Sequence, residues 1–402
     1  MTQNQEQAEN ITMSGGGVYS LATIGAKDVI DRSIPRVLSA LENLQPPLQG
    51  YWNFSDMGCA DGGTSLQLWR SVIEKIRQGG NTDIQIVYAD QARNDFNALV
   101  QILHGHTQFE SYLPGAENVR VLESGASFYT PILPAESLHL GYSATAMHWL
   151  SRKPCDITDH VHMVGASGDE YTRFSQQAKA DWQTILLHRA RELKPGGNLV
   201  LVNFCRDDNG CYLGNTGGVN MFDQFNLNWQ TFVNDGVVTQ DEYRAMTLPQ
   251  YYNTTDEFSA PLLDTTSPVY AAGLRLVDIE TAIVECPFAR DFAEHGNAKK
   301  FAQDYIPTIR SWNESTYFAG LSENRSLAER QEIIESYYQI YQDEVERNPS
   351  NHGMGYVHAY MTIEKVAGWV CWHPRYQNPW YKRGSIKMDA AVFFIPSITI
   401  SV

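Results

Sequence analysis

Hydrophobic positions in this chain follow two rhythms. A nearly continuous apolar run at residues 84–88 predicts a strand buried on both faces of a parallel sheet, and 51–57, 119–122, 137–142 and 198–204 read as further strands. Between them, apolar residues recur at helical spacing. Val29, Ile30, Ile34, Val37, Leu38 and Leu41 predict a helix over about 23–43, in which Pro35 predicts a break or kink. Further helices are predicted over 64–77, from near Arg93, and over 175–193, the last closed by Lys194-Pro195-Gly196-Gly197. The order is that of five consecutive α/β units.

From 205 to 271 the rhythm lapses. Phe222, Phe225, Trp229, Phe232, Tyr243, Tyr251, Tyr252 and Phe258 cluster among short helical stretches, which predicts a mostly helical insertion capping the sheet. A strand over 274–284, helices over 299–320 and 326–346 and a strand over 356–366 follow, and 390–402 is β-prone. The expected organisation is a mobile tail at 1–12, a Rossmann-like core at 13–204, a helical cap at 205–271, completion of core and cap at 272–366, and a C-terminal extension at 367–402.

Composition narrows the partners. The 402 residues are 43% hydrophobic, enough for a full core, and carry a formal net charge of −16. Such a surface repels phosphate backbones and anionic lipid, so neither nucleic acid nor membrane is expected as a partner. The six cysteines show no paired spacing and the N-terminus is polar, which suggests a reduced, cytoplasmic chain.

The candidate chemistry lies at 53–68, N-F-S-D-M-G-C-A-D-G-G-T-S-L-Q-L. Small residues let backbone approach a ligand, and free N–H groups open the following helix. The spacing is not the pyrophosphate fingerprint, and Asp56 and Asp61 would repel a diphosphate. A cationic nucleoside cofactor fits better, and S-adenosylmethionine carries both a sulfonium and an ammonium. Asp90, ending the second strand, reads either as a receiver of ribose hydroxyls or as a helix N-cap. The pairs His104/His106 and His160/His162 lack partners at zinc-site spacing, so no metal is expected.

Longer motifs carry a resemblance. M-S-G-G-G-V-Y-S from Met13, S-D-M-G-C-A-D-G-G from Ser55, D-Q-A-R-N-D-F-N from Asp90 and G-A-S-F-Y from Gly125 come first. Y-S-A-T-A-M-H-W-L-S from Tyr142, L-K-P-G-G-N-L-V-L from Leu193 and L-P-Q-Y-Y-N-T-T-D-E-F from Leu248 follow. Across about 13–366 the chain resembles the salicylate, benzoate and theobromine (SABATH) methyltransferases. The resemblance implies a class I methyltransferase fold, α/β and Rossmann-like, with a mostly helical cap over the active site. It also implies S-adenosylmethionine as cofactor, S-adenosylhomocysteine as product and a small acid as acceptor. Some members methylate ring nitrogen, and family members are often homodimers. By motif, Tyr19, Asp56, Gly58, Cys59, Asp61, Asp90, Gln91, Ser127 and Phe128 match cofactor positions, and Trp149 matches the indole that donates to the acceptor carboxylate.

The acceptor half departs from the family. Ala26 stands where the resemblance implies a glutamine, the carboxylate's second donor; Thr23, Thr145 and Phe222 replace other pocket residues. Lys27 is a candidate substitute donor one residue on. His148 reads either as an acceptor contact, and a base for phenols or azoles, or as a packed core histidine. A carboxylate is ionised at neutral pH and needs no base. The alternatives are N- or phenol O-methylation and a binding-only protein, with a dinucleotide dehydrogenase last.

Overall fold

The structure, a computed structural model, describes residues 18–366; the expected tail at 1–12 and extension at 367–402 lie outside the described residues. Seven strands make one sheet in the order β3-β2-β1-β4-β5-β7-β6. They are β1 (Tyr51–Met57), β2 (Asp83–Ala89), β3 (Val119–Ser124), β4 (Leu138–Ala144), β5 (Leu193–Phe204), β6 (Leu274–Val284) and β7 (Tyr356–Lys365). β7 runs antiparallel to both β5 and β6, and the other pairs are parallel. This is the expected α/β, Rossmann-like sheet.

The run at 84–88 lies where both sheet faces are covered, whereas β3 at the sheet edge has no buried residue. Leu199 and Leu201 of β5 point into one core and Val200 and Val202 into the other. On the second face lie α2 (Ile24–Glu42), through Val29, Ile30 and Val37, and α3 (Leu66–Gln78), through Trp69 and Val72. The first face is covered by α5 (Gly168–Glu192), through Trp182, Ile185 and Leu186. A short α1 (Val18–Ala22) precedes α2, and α4 (Phe96–Leu103) follows β2.

Several expectations need correction. Pro35 does not break α2, which continues to Glu42 because its apolar face is fixed against the sheet; packing outweighs the one lost N–H bond. The N-cap of α4 is Asp95, which accepts from the Ala98 N–H, and not Asp90. Lys194-Pro195-Gly196-Gly197 does not separate helix from strand. Leu193 already pairs with Leu138, and Asn198 with Leu140, so the four residues loop out as a bulge inside β5. A Cβ at Gly197 would fall 2.9 Å from the Lys194 carbonyl oxygen, which is why glycine is needed there.

Residues 205–271 carry α6 (Met221–Asn234), α7 (Gln240–Ala245), α8 (Thr255–Leu263) and α9 (Pro268–Ala271). After β6 come α10 (Pro287–His295), which the hydrophobic pattern does not reveal, then α11 (Ala298–Gly320) and α12 (Leu327–Arg347). Trp229 of α6 stacks on Tyr337 of α12 at 4.2 Å, with Tyr317 of α11 edge-on to both. No helix among the described residues is long and apolar enough to cross a membrane.

A buried ion pair ties α5 to the loop after β3. Arg189 Nε and Nη2 each donate to Glu192 at 2.8 Å, and Arg189 also holds the carbonyls of Phe128 (3.1 Å) and Thr130 (2.9 Å). Glu192 in turn accepts the Ile132 and Leu133 N–H groups at 2.6 and 3.2 Å. Arg189→Met would leave that carboxylate buried without its cation, at a cost of about 3–5 kcal/mol. Urea unfolding should show the loss; a change under about 1 kcal/mol would mean the pair is dispensable.

Candidate active site

Strand order reverses between β1 and β4, and the segments leaving the carboxyl ends of β1, β2 and β4 surround a cavity of about 640 Å³. The loop after β1 is built for close approach. Gly58 has φ +76°, and a Cβ there would sit 2.4 Å from the Ala146 Cβ, so glycine lets the post-β1 and post-β4 segments touch. Ala60 is also left-handed, at φ +48°. Its N–H donates to Asp90 Oδ2 at 2.8 Å, and its carbonyl accepts from Asn94 at 2.8 Å. Asp90 Oδ1 takes the Gln91 N–H at 2.7 Å, so this carboxylate joins the ends of β1 and β2 while facing the cavity. Burial raises its pKa, and those two N–H groups oppose the rise.

The structure brings together ten of the sequence candidates. Tyr19, Gly58, Asp90, Gln91, Ser127, Phe128, Thr23, Thr145, His148 and Trp149 all line the cavity. Phe128 and Ser127 belong to the loop after β3 that Arg189 secures. Thr145, directly after β4, holds φ +55°, a costly conformation for a β-branched residue, and its N–H bonds to the Val202 carbonyl at 2.8 Å. That bend sends 146–149 along the cavity wall. There the Tyr129 hydroxyl donates to the Trp149 carbonyl at 2.5 Å, and Asp181 accepts both the N–H and the hydroxyl of Ser151.

Five candidates lie elsewhere. Asp56 is buried under the turn, where its Oδ2 accepts from Trp69 Nε1 at 2.9 Å; desolvation pushes its carboxyl up to about 6, against the Ser65 and Trp69 hydrogen bonds. Asp61 accepts the Ser20 N–H at 3.0 Å, the Ser20 hydroxyl and the Gly63 N–H at 3.2 Å, so it fastens α1 to the loop. Cys59 is packed in the core with its thiol raised by burial. Lys27 points away from the cavity and pairs with Asp31, because one helical residue turns the side chain through roughly 100° from Ala26, which does line it. Phe222 is fully buried and stacks on His162 at 3.8 Å; Trp312 of α11 stands in front of it and forms the wall instead.

Sequence reasoning missed Gln250, Thr308, Trp312 and Tyr356, which arrive from the cap and from β7. Only Gln250 sat in a recognised motif. Its backbone forms an antiparallel bridge with Trp149.

Charge is sparse in this cavity. His148 is buried, its Nδ1 makes no hydrogen bond among the described residues, and desolvation alone lowers its pKa to about 3. The ring is therefore neutral at pH 7 and a weak base. Burial, then Asp61 and Asp90, push the Tyr19 hydroxyl up to about 12. Arg93, in the loop after β2, is the single cationic side chain among the described lining residues. Among the described residues no group of His, Cys, Asp and Glu is placed to hold a metal.

The chain is similar to known proteins over most of its length. A family model described as SAM dependent carboxyl methyltransferase matches residues 19–351. The chain is 28% identical over 228 residues to a farnesoic acid carboxyl-O-methyltransferase of Arabidopsis thaliana, covering 53% of this chain and 62% of that one. It therefore spans somewhat less than two thirds of that relative. It is 25% identical over 319 residues to 3,7-dimethylxanthine N-methyltransferase 2 of Coffea arabica, covering 71% and 79% of the two chains. Its fold is similar to that of a loganic acid methyltransferase solved with SAH, at a TM-score of 0.68 and 18% identity over 89% of this chain and 99% of that one.

The depressed His148 pKa gives a measurable signature. As pH falls, the unfolded chain takes up this proton near the ordinary 6.5 and the folded one only near 3. The stability it contributes is thus complete above about 6.5 and is lost between there and about 3, at about 1.4 kcal/mol per pH unit. His148→Phe should make the stability-versus-pH slope between pH 6 and 4 shallower by about one proton. An unchanged slope would place the ring in a solvated setting.

Proposed function

This chain belongs to the SAM-dependent carboxyl methyltransferase family, and we propose on that footing that it methylates the carboxylate of a small organic acid. The products are a methyl ester and S-adenosylhomocysteine. The observation that carries this reading is a cavity that joins Asp90, Ser127 and Phe128 to Trp149 while offering no effective base, since His148 is neutral with a pKa near 3. An acid with a pKa near ~4 is already ionised at neutral pH and needs none, whereas a phenol or azole must lose a proton.

The residues present fit the cofactor. Small residues at Gly58, Ala60, Gly125, Ala126 and Ala146 leave room for a nucleoside, and Phe128 offers a ring face. Asp90, with a lone pair left on each oxygen, suits ribose hydroxyls. Asp56 and Asp61 act in this reading by shaping the turn, since both carboxylates are taken up by protein donors. When bound, S-adenosylmethionine supplies the electrophilic methyl group.

The chain's own work is positioning. Trp149 offers its indole N–H to the acceptor carboxylate, and Tyr129 holds the Trp149 backbone in place. Phe204, Leu213, Trp312 and Met354 keep the acceptor end apolar. Charge is neutralised as the ester forms, so a dry wall favours reaction. The described cysteines form no disulfide with one another, which supports a reducing, cytoplasmic setting.

The Coffea relative's name keeps N-methylation as the second reading, in which neutral His148 would act as a hydrogen-bond partner of the acceptor rather than as a base. The test is transfer of labelled methyl from S-adenosylmethionine to a panel of acids, phenols and azoles, followed by mild alkali. Label released by alkali, and transfer falling about 10-fold or more in Trp149→Phe, is the expected result. Alkali-stable label would overturn the carboxyl reading.

A further inference from the structure

The carboxyl reading, on which this inference rests, leaves the acceptor without the second donor that the resemblance implies, because Ala26 has no polar side-chain atom. We propose that Gln250 supplies the second, so that the acceptor carboxylate is held between the Trp149 indole N–H and the Gln250 carboxamide N–H. The backbone bridge between residues 149 and 250 makes them direct cross-strand neighbours. Side chains at such positions emerge on one face with Cβ atoms about 4.5–5.5 Å apart, the span one carboxylate can bridge. Both side chains line the cavity, and Gln250 is 1% exposed.

The core-side partners of the amide favour its oxygen. Gln250 Oε1 accepts from the Tyr252 hydroxyl at 3.3 Å; burial lowers the His162 pKa, and its hydrogen bond to Gln250 works the other way, as an accepting oxygen would do. The His162 ring thus also hydrogen-bonds the Gln250 side chain from the core side, and both Gln250 and Trp149 line the cavity. Neighbouring backbone bonds, Leu150 N–H to Pro249 O at 2.8 Å and Tyr251 N–H to His148 O at 3.0 Å, lock the two segments in register. The donors are thus paired and placed before any acceptor enters.

Neutral donors suit this reaction better than a cation. The acceptor's negative charge disappears as the ester forms, so a lysine or arginine would bind the ground-state anion more tightly than the transition state and raise the barrier. A neutral indole N–H and a neutral carboxamide N–H recognise carboxylate geometry with less of that penalty. The orientation of Lys27 toward Asp31, out of the cavity, agrees with this.

The test uses benzoate, indole-3-acetate and farnesoate, taking whichever acid the unmodified chain esterifies best. Gln250→Met keeps size but removes the donors, and Gln250→Glu keeps an oxygen for Tyr252 while placing charge against the acid. Each should raise the KM for the acid about 10- to 100-fold, as expected for one lost hydrogen bond to a charged group, and leave the KM for S-adenosylmethionine within twofold. Adding Ala26→Gln to Gln250→Met should restore part of the loss, which a merely structural glutamine would not allow. An acid KM within threefold of the unmodified chain's, or an equal rise in both KM values, would overturn the proposal. If Gln250→Met fails to fold, Gln250→Glu decides alone. If the unmodified chain esterifies no acid, the carboxyl reading has failed; if it does and the variants match it, only Gln250's role has.

Discussion

The reversal of strand order between β1 and β4 is the constraint on which the rest depends. Neighbouring parallel strands whose connections leave on opposite sides cannot close over their carboxyl ends, so a crevice forms there whatever the sequence. Much of the cavity wall begins at that edge. The Gly58 loop follows β1, Asp90 follows β2, Thr145 to Trp149 follow β4, and Phe204 ends β5. Because β7 is antiparallel, its first residue, Tyr356, reaches the same edge.

Holding four loops around an opening takes fixed polar contacts, and buried carboxylates provide most of them. Asp61 grips Ser20, Asp90 grips Ala60, Asp181 grips Ser151 and Glu192 grips the loop after β3. Each accepts backbone N–H groups at loop positions where no ladder can satisfy them. What results is a cavity with a charged frame and a largely neutral interior. That division matches a reaction in which an anion and a cation cancel, since fixed charges in the wall would stabilise the separated ions.

The sheet was legible in the sequence because stretches such as 84–88 and 198–204 are dominated by apolar residues, although β1 and β4 also bury Asn53, Ser55, Asp56, His139 and Ser143. The bulge in β5 was hidden: Pro195 and two glycines look like a turn until Leu193 is seen pairing with Leu138. In the site, residues adjacent to strand ends within recognised motifs, such as Asp90, Ser127, Phe128 and Trp149, could be named from the chain alone. Whether an acidic residue faces ligand or core could not. Asp56 and Asp61 fill a loop that reads as ligand-binding, yet they are satisfied by Trp69 and Ser20. Gln250 and Trp312 escaped because their place in the wall is set by a backbone bridge and by helix packing between segments far apart in the chain.

The central claim is that one cavity holds the cofactor at its Asp90 end and presents the methyl group to Trp149. The most direct test is a crystal structure with S-adenosylhomocysteine bound. The account predicts ribose hydroxyls on Asp90, the adenine against Phe128 and the sulfur facing the space before Trp149 and Gln250. A cofactor bound in another crevice, or its sulfur directed away from Trp149, would contradict it.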